Sequence, residues 1–258
     1  MTPLWKGDRF PDGRPRVADS VLARLRSMSI EEVWRLAWMK LNNYQFQGDF
    51  KCTHSTMKPT VGRAVTATFV PIREDLEIAM MRQAKSQGMK GMYNQWVVDS
   101  LVEDDVFVAD LFDKTEYGTL VGGNLATVIR QKTKRGGAVV WGSIRDVQQI
   151  RDIDDINIFY RGFHPSPIRD ICLTGFNSPC RIGHATCLPG DVVYACECGV
   201  CFIPPHMAEE VAEDAEKVHV RDIFGFQRIH EGKYSATAID EFPWKIEIFE
   251  DFMNWLKT

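Results

Sequence analysis

Residues 136–151 read Gly-Gly-Ala-Val-Val-Trp-Gly-Ser-Ile-Arg-Asp-Val-Gln-Gln-Ile-Arg. Ala138 to Trp141 is an unbroken apolar run of the length of a buried strand. Gly142 is expected to let the chain turn, after which Ile144, Val147 and Ile150 recur at helical spacing. A strand feeding a helix is half of a βαβ unit. It places Arg145 and Asp146 at the turn between the two, on the sheet edge where α/β proteins hold their ligands. A guanidinium there can fork onto a carboxylate through two parallel charge-assisted hydrogen bonds, and an aspartate offers hard oxygen to a divalent cation. Together the two suit a metal-bound keto acid. The competing reading is an ion pair at a helix start, where an aspartate also complements the dipole.

The stretch before it supplies the other half of the unit. Val106 to Leu111 has strand character, and Gly122-Gly123 opens a helix over Asn124 to Lys132 that returns the chain to Ala138. The glycines permit close approach of a ligand, and the amides of Asn124 and Leu125 at the helix start can cradle an anion such as a carboxylate. Neighbouring parallel strands would bring this loop and Arg145 to one edge. Asp110 ends its strand on that edge, as an outer ligand or a loop cap. Further strand signals run from Val61 to Val70 ending at Pro71, and over Ile156 to Tyr160, Arg181 to Cys187 and Asp191 to Ala195.

Both flanks are helical. Residues 1–19, with Pro3, Pro11, Gly13 and Pro15 among charges, predict an arm without regular structure. Ser29 and Glu32 form a capping box ahead of Ile30, Val33, Trp34, Ala37, Trp38 and Leu41 on one helical face. From His206 to about Val218, Met207, Val211, Ala212 and Ala215 face inward while Glu209, Glu210, Glu213 and Asp214 face solvent. Trp244, Ile246, Phe249, Phe252 and Trp255 mark a final amphipathic helix. The division expected is an arm and helix over 1–50, an α/β core over 51–218 and a helical tail over 219–258.

At 45% hydrophobic and 26% charged residues, the composition is that of an ordinary globular chain. A net charge of -4 supplies no broad basic field, so no nucleic-acid partner is expected. No apolar run reaches membrane-spanning length and the first residues lack a signal-peptide core, so we expect a cytoplasmic protein with no membrane partner. Seven cysteines, an odd number, read as reduced thiols. Cys196, Cys198 and Cys201, with Cys180 or Cys187, invite a zinc site. We read them instead as two strand pieces around a glycine turn, because no second Cys-x-x-Cys knuckle exists. His54, in a polar loop, and His164, before Pro165, can each line a pocket as a proton carrier.

With these pieces in order the chain resembles the regulator of ribonuclease activity A (RraA)-like family, which includes 4-hydroxy-4-methyl-2-oxoglutarate aldolases. The matching words are Val61-Gly62-Arg63-Ala64-Val65-Thr66, Gly122-Gly123-Asn124-Leu125-Ala126-Thr127, Gly142-Ser143-Ile144-Arg145-Asp146, Arg161-Gly162, Pro189-Gly190-Asp191-Val192-Val193, and Gly199-Val200 before Pro204. The resemblance implies a layered α/β/α swivelling, phosphohistidine-like domain with helical extensions, assembled as a trimer or hexamer with sites between subunits. It implies Mg2+ or Mn2+ on Asp146, a 2-oxo acid on Arg145, and the substrate carboxylate on the amides following Gly122 and Gly123, here Asn124 and Leu125. The implied activity is a metal-dependent carbon–carbon lyase, an aldolase or oxaloacetate decarboxylase, with Arg145, Asp146 and a proton carrier such as His54 as catalytic residues. No lysine stands out as a Schiff-base nucleophile. The family's older label, demethylmenaquinone methyltransferase, would need a methyl-donor site that the sequence does not display.

Departures from the pattern point the other way. Gly123, Cys196 and Cys198 stand where aldolases of the family carry acidic residues. For the glutamate that a neighbouring subunit's C-terminal helix contributes, Glu216 and Asp222 are the nearest candidates. The alternative implied is a non-catalytic family member that binds and regulates an RNA-processing enzyme.

Overall fold

The structure is a computed structural model that describes residues 1–40 and 42–257. The arm is followed by helices α1 (Asp19–Leu25) and α2 (Ile30–Met39), short strands β1 (Phe46–Gln47) and β2 (Lys51–Cys52), and the long β3 (Thr60–Pro71). Next come α3 (Glu74–Ser86), α4 (Tyr93–Ser100), β4 (Asp105–Lys114), α5 (Gly123–Thr133), β5 (Gly137–Ile144), α6 (Val147–Arg151) and β6 (Asn157–Phe163). The chain continues through β7 (Ile171–Phe176), a hairpin of β8 (Cys180–Ile182) and β9 (Ala185–Cys187), and a second hairpin of β10 (Val192–Cys196) and β11 (Gly199–Ile203). Helices α7 (Ala208–His230), α8 (Ala236–Asp240) and α9 (Ile246–Trp255) close it.

The main sheet runs β1-β11-β10-β3-β4-β5-β6-β2, with β7 on the far half of β3. Strands β3 to β6 are parallel, and β10, β11, β1, β2 and β7 add antiparallel pairs. The mixed α/β architecture expected from the sequence is what forms. Side-chain alternation along the strands sorts the core by face. Val65, Phe107, Ala109 and Val140 pack with α4 and α5, and Val192, Tyr194 and Cys201 on the same face pack with α1, α2 and α7. Ala64, Val106, Val108, Val139 and Phe202 turn to the other face, where the β8–β9 hairpin covers them with Cys180, Ile182, Ala185 and Cys187.

Several expectations hold residue by residue. Ser29 and Glu32 make the capping box, and Ile30, Val33 and Ala37 are buried on that helix. Leu41, expected on the same face, lies outside the described residues. Cys196 and Cys198 sit at the turn between β10 and β11, which is the strand reading of that segment.

Others are corrected. Gly142 does not turn the chain: β5 runs on to Ile144, and a Cβ at Gly142 would come 2.7 Å from Leu111 atoms. The glycine serves close strand approach, beside a register shift between Asp110 and Lys114 of β4. Arg181 to Cys187 is a hairpin rather than one strand, reversed at Gly183 with φ +60°. The helix beginning near His206 continues to His230. Helices α1, α3 and α4 and strand β7 were not expected. Helix α3 buries Ala84 alone, so its stripe is faint, and α4 carries Trp96, Val97 and Val98 in succession, which has no helical period.

The arm lacks regular structure but not attachment. Arg14 reaches the start of β4, where Nη1 and Nη2 donate to the Asp105 carboxylate at 2.9 and 3.2 Å, both side chains being buried. Arg63 of β3 donates from Nε to the Val17 carbonyl at 2.8 Å and pairs with Asp19.

Candidate functional site

Two loops meet at the carboxyl ends of β4 and β5. The loop from β4 is stitched to β5 by Leu120 N–H to the Ser143 carbonyl at 3.0 Å and by Ser143 Oγ to the Gly118 carbonyl at 3.1 Å. The Arg145 amide then donates to the Val121 carbonyl at 2.9 Å. This pairing follows from the parallel register of the two strands, and it brings Gly122 against Arg145 and Asp146.

Asp146 is the cap residue of α6 and holds φ 56° and ψ 33°, the left-handed conformation that aspartate tolerates better than most residues. Its Oδ2 accepts the Gly123 amide at 3.1 Å and lies 3.5 Å from Arg145 Nη1. The carboxylate therefore spans from its own turn to the start of α5. Gly122 makes this possible: a Cβ there would lie 2.7 Å from Asp146 Oδ2 and 2.8 Å from Arg145 Nε. With Ala126 donating to the Gly122 carbonyl, the Asn124 and Leu125 amides in the first turn of α5 have no acceptor within the helix.

Arg145 separates two cavities. One, of about 170 Å³, is lined by Gly122, Asn124, Leu125, Asn94 and Gln95; the other, of about 590 Å³, is lined by Asp146, Gln149, Arg151, Tyr160, Phe163 and His164. The side chains of Arg145 and Asp146 are 37% and 26% exposed, so both reach a ligand while staying anchored.

The two histidines fare differently. His54 lies at the beginning of β6, its backbone amide on Asn157 Oδ1 and its ring nitrogens 3.1 Å from Thr53 Oγ1 and from the Arg151 carbonyl. It lines neither cavity at Arg145. His164 does: its amide donates to the Ile144 carbonyl at 3.1 Å, which ties it to the residue before Arg145. The Ser166 amide donates to His164 Nδ1 at 3.2 Å, and Ser166 Oγ, which accepts the Gly118 amide at 2.6 Å, lies 2.9 Å from the same nitrogen. Nδ1 is thus an acceptor, which assigns the ring proton of the neutral imidazole to Nε2.

The remaining candidates lie outside this constellation. Asp110 Oδ1 accepts the Phe112 amide at 2.9 Å and shapes the bulge where Phe112 and Asp113 both take positive φ; burial raises its carboxyl above the ordinary aspartate range. Glu216 of α7 takes two hydrogen bonds from Arg24, at 2.7 and 2.8 Å. Asp222 faces α2, where burial and the nearby Glu32 raise its carboxyl. Among the described residues no three histidine, cysteine or acidic side chains converge as a ready-made metal cluster. A Mg2+ or Mn2+ ion nevertheless fits the donor set at Asp146. Such ions keep several waters and need only one or two carboxylates, and Asp146 Oδ1 is not engaged by any of the described residues.

Residues 18–202 match the model of the RraA-like family, described as Aldolase/RraA. The chain is 25% identical, over 149 residues that make up 56% of it and 71% of the relative, to an uncharacterized protein of Methanocaldococcus jannaschii. Among solved structures it is similar to an uncharacterized protein from Pseudomonas syringae pv. tomato, at 18% identity and TM-score 0.72 over 88% of this chain and 96% of that one. It is also similar to Streptomyces coelicolor RraAS2, described as an unusual member of the RNase ES inhibitor RraA protein family. There the identity is 21% and the TM-score 0.69, over 83% of this chain and 100% of that one. At these identities the structural likeness establishes the fold. No helix among the described residues is long and apolar enough to cross a membrane.

Proposed function

This chain belongs to the RraA-like, Aldolase/RraA family, and we propose that it is a divalent-metal-dependent lyase that breaks a carbon–carbon bond next to a 2-oxo acid. Aldol cleavage of a 4-hydroxy-2-oxo acid, decarboxylation of oxaloacetate, or both would be its reaction. The observation that carries this reading is the Asp146 carboxylate, held by the Gly123 amide beside Arg145 at the opening of two cavities.

Asp146 would hold Mg2+ or Mn2+, which when bound supplies Lewis acidity toward the charge that develops on the keto oxygen as the bond breaks. Arg145 forks onto the substrate carboxylate, and the free amides of Asn124 and Leu125 receive its second oxygen. Gly122 leaves room for that approach. Preorganised donors of this kind are commonly worth about 3–4 kcal/mol each. His164 carries its proton on the nitrogen not engaged by Ser166, so it is the proton carrier we assign in preference to His54. The sugar or acyl end of the substrate would occupy the larger cavity, and the working assembly would be a trimer or hexamer.

The test is release of pyruvate or carbon dioxide from oxaloacetate and a panel of 4-hydroxy-2-oxo acids, with magnesium, with manganese and with chelator. Metal-dependent release above the nonenzymatic background, abolished in Arg145→Ala and Asp146→Ala while fold and oligomer persist, is the expected result. Near-native activity in Arg145→Ala would remove the central claim.

One observation favours a second reading. Gly123, whose added Cβ would lie 3.9 Å from that of Asp146, leaves no acid at that position beside the Asp146 carboxylate, as suits a family member that binds an RNA-processing enzyme instead of turning over a substrate. Capture of such an enzyme, with no metal-dependent release from any substrate of the panel, would establish it.

A further inference from the structure

Helix α9 carries two apolar seams. Ile248, Phe252 and Trp255 turn inward: Ile248 is buried, and the two rings close on Phe224 of α7 with centroids 5.2 and 5.7 Å away. Ile246, Phe249, Met253 and Leu256 follow the 3-4-3 spacing of a coiled-coil seam along another side of the helix, and they are 63, 49, 42 and 49% exposed. A helix can hide such a stripe by rolling, but this one is locked. Arg228 of α7 donates from Nε and Nη2 to the two oxygens of Asp251 at 2.8 and 3.0 Å, and Trp244 packs edge-on against Phe252. The outer stripe therefore stays out.

Its extent is that of an interface. Four large side chains, each about half exposed, present roughly 400 Å² of apolar surface, near the largest patch that an ordinary monomer shows. A stable interface takes about 800 Å² from each partner, of which somewhat more than half is apolar. The stripe supplies nearly all of that apolar share, and exposed Lys245, Glu247, Glu250, Asn254 and Lys257 supply a polar rim around it.

The chemistry of the tail narrows the occupant. Acidic side chains outnumber basic ones from residue 219 onward, the reverse of a surface built for anionic lipid. The seam is also complementary to itself. Run antiparallel against its own copy, it sets Phe249 against Met253 and Ile246 against Leu256. Every layer then pairs large apolar groups, the Met253 sulfur meets a ring, and the helix dipoles oppose.

We propose that α9 is a two-fold interface between two copies of this chain, closed through Ile246, Phe249, Met253 and Leu256. A two-fold contact cannot close a trimer, so a trimeric core joined through α9 becomes a hexamer. The contact is independent of the chemistry at Arg145, and its test reads assembly rather than turnover.

That test is the molar mass of the full chain at micromolar concentration, by sedimentation velocity. An even-numbered assembly is expected for the wild type. Phe249→Glu and Met253→Glu should each halve its mass, while Ile78→Glu, at an exposed position of α3, leaves it whole. Should a glutamate disturb the tail, Phe249→Ala keeps the helix and should raise the dissociation constant of the contact at least tenfold. Orientation is read by oxidative crosslinking in a Cys198→Ser background. Glu250→Cys, beside the two-fold axis, should link to its own copy, whereas Lys245→Cys, about 18 Å along the seam from its symmetry mate, should not. A monomeric or trimeric wild type, a mass or dissociation constant unchanged in the Phe249 variants, or self-linking at position 245 in place of 250 would overturn the proposal; the first of these would leave the stripe to a different protein.

Discussion

Alanine at Gly122 isolates the geometry of the candidate site from its stability. The backbone there has φ -125° and ψ -175°, extended values that alanine adopts freely, so the substitution adds contact and no backbone strain. The new Cβ would stand 2.7 Å from Asp146 Oδ2 and 2.8 Å from Arg145 Nε. To reach ordinary contact near about 3.5 Å, each must retreat by about 0.7–0.8 Å. Both are ends of flexible side chains, so the fold yields cheaply; we expect a loss of about 1 kcal/mol, at the low end of overpacking costs, and a fall in Tm of about 2–4 °C. Catalytic groups do not tolerate the same retreat, and a displacement approaching about 1 Å costs on the order of 10²-fold in rate. The matching control is Gly123→Ala, whose Cβ would meet Gln149 Oε1 at 3.0 Å and Asp146 Cβ at 3.9 Å, leaving Arg145 in place. In the metal-dependent release assay kcat/KM should fall about 10²-fold in Gly122→Ala and by no more than a few fold in Gly123→Ala. Equal kcat/KM in wild type and Gly122→Ala, or equal losses in the two variants, would refute the placement of Arg145 and Asp146 around Gly122.

Three further outcomes are expected. His164→Gln should lower kcat by about 10²-fold or more, as loss of a general acid or base does, while His54→Gln stays within a few fold; the reverse order would return the proton carrier to His54. Arg14→Ala leaves the Asp105 carboxylate buried and unpaired, so urea unfolding should show a loss of about 3–5 kcal/mol, and a loss under 1 kcal/mol would mean that the arm does not hold β4. Asp191 has its carboxyl raised from 3.8 to about 7, so the folded chain holds that proton where the unfolded chain releases it, and its contribution to stability is full at acid pH and is lost as pH rises through about 7. Between pH 5 and pH 8 the wild type should lose about 2–3 kcal/mol relative to Asp191→Asn, and parallel stability curves for the two would show that Asp191 does not hold a proton in the fold.

What was legible in the chain was what local pattern encodes. The apolar run Ala138–Trp141, the paired glycines before Asn124 and the capping box at Ser29 each depend on residues within one turn or one strand, so they formed as expected. Arg145 and Asp146 were legible for the same reason, since a strand ending and a helix starting are neighbours in sequence. Helices α3 and α4 were not, because one has almost no buried stripe and the other has apolar residues in succession; their packing against β7 and α5 makes them helical.

The order of residues alone settles the strand-helix alternation, the glycine at the loop and the identity of the charged pair, because steric and hydrophobic preferences act over a few residues. Other features arise only when distant segments meet. Gly142 turned out to pack against Leu111 instead of turning the chain. His164 stands by the site because its amide reaches the Ile144 carbonyl, whereas His54 is drawn to Asn157 at the far end of β6. Asp191, 127 residues from Ala64, has its carbonyl fixed by that strand and its carboxyl buried beneath an arm from the other end of the chain. Burial and proximity across such separations are properties of the packed sheet, and no window of sequence contains them.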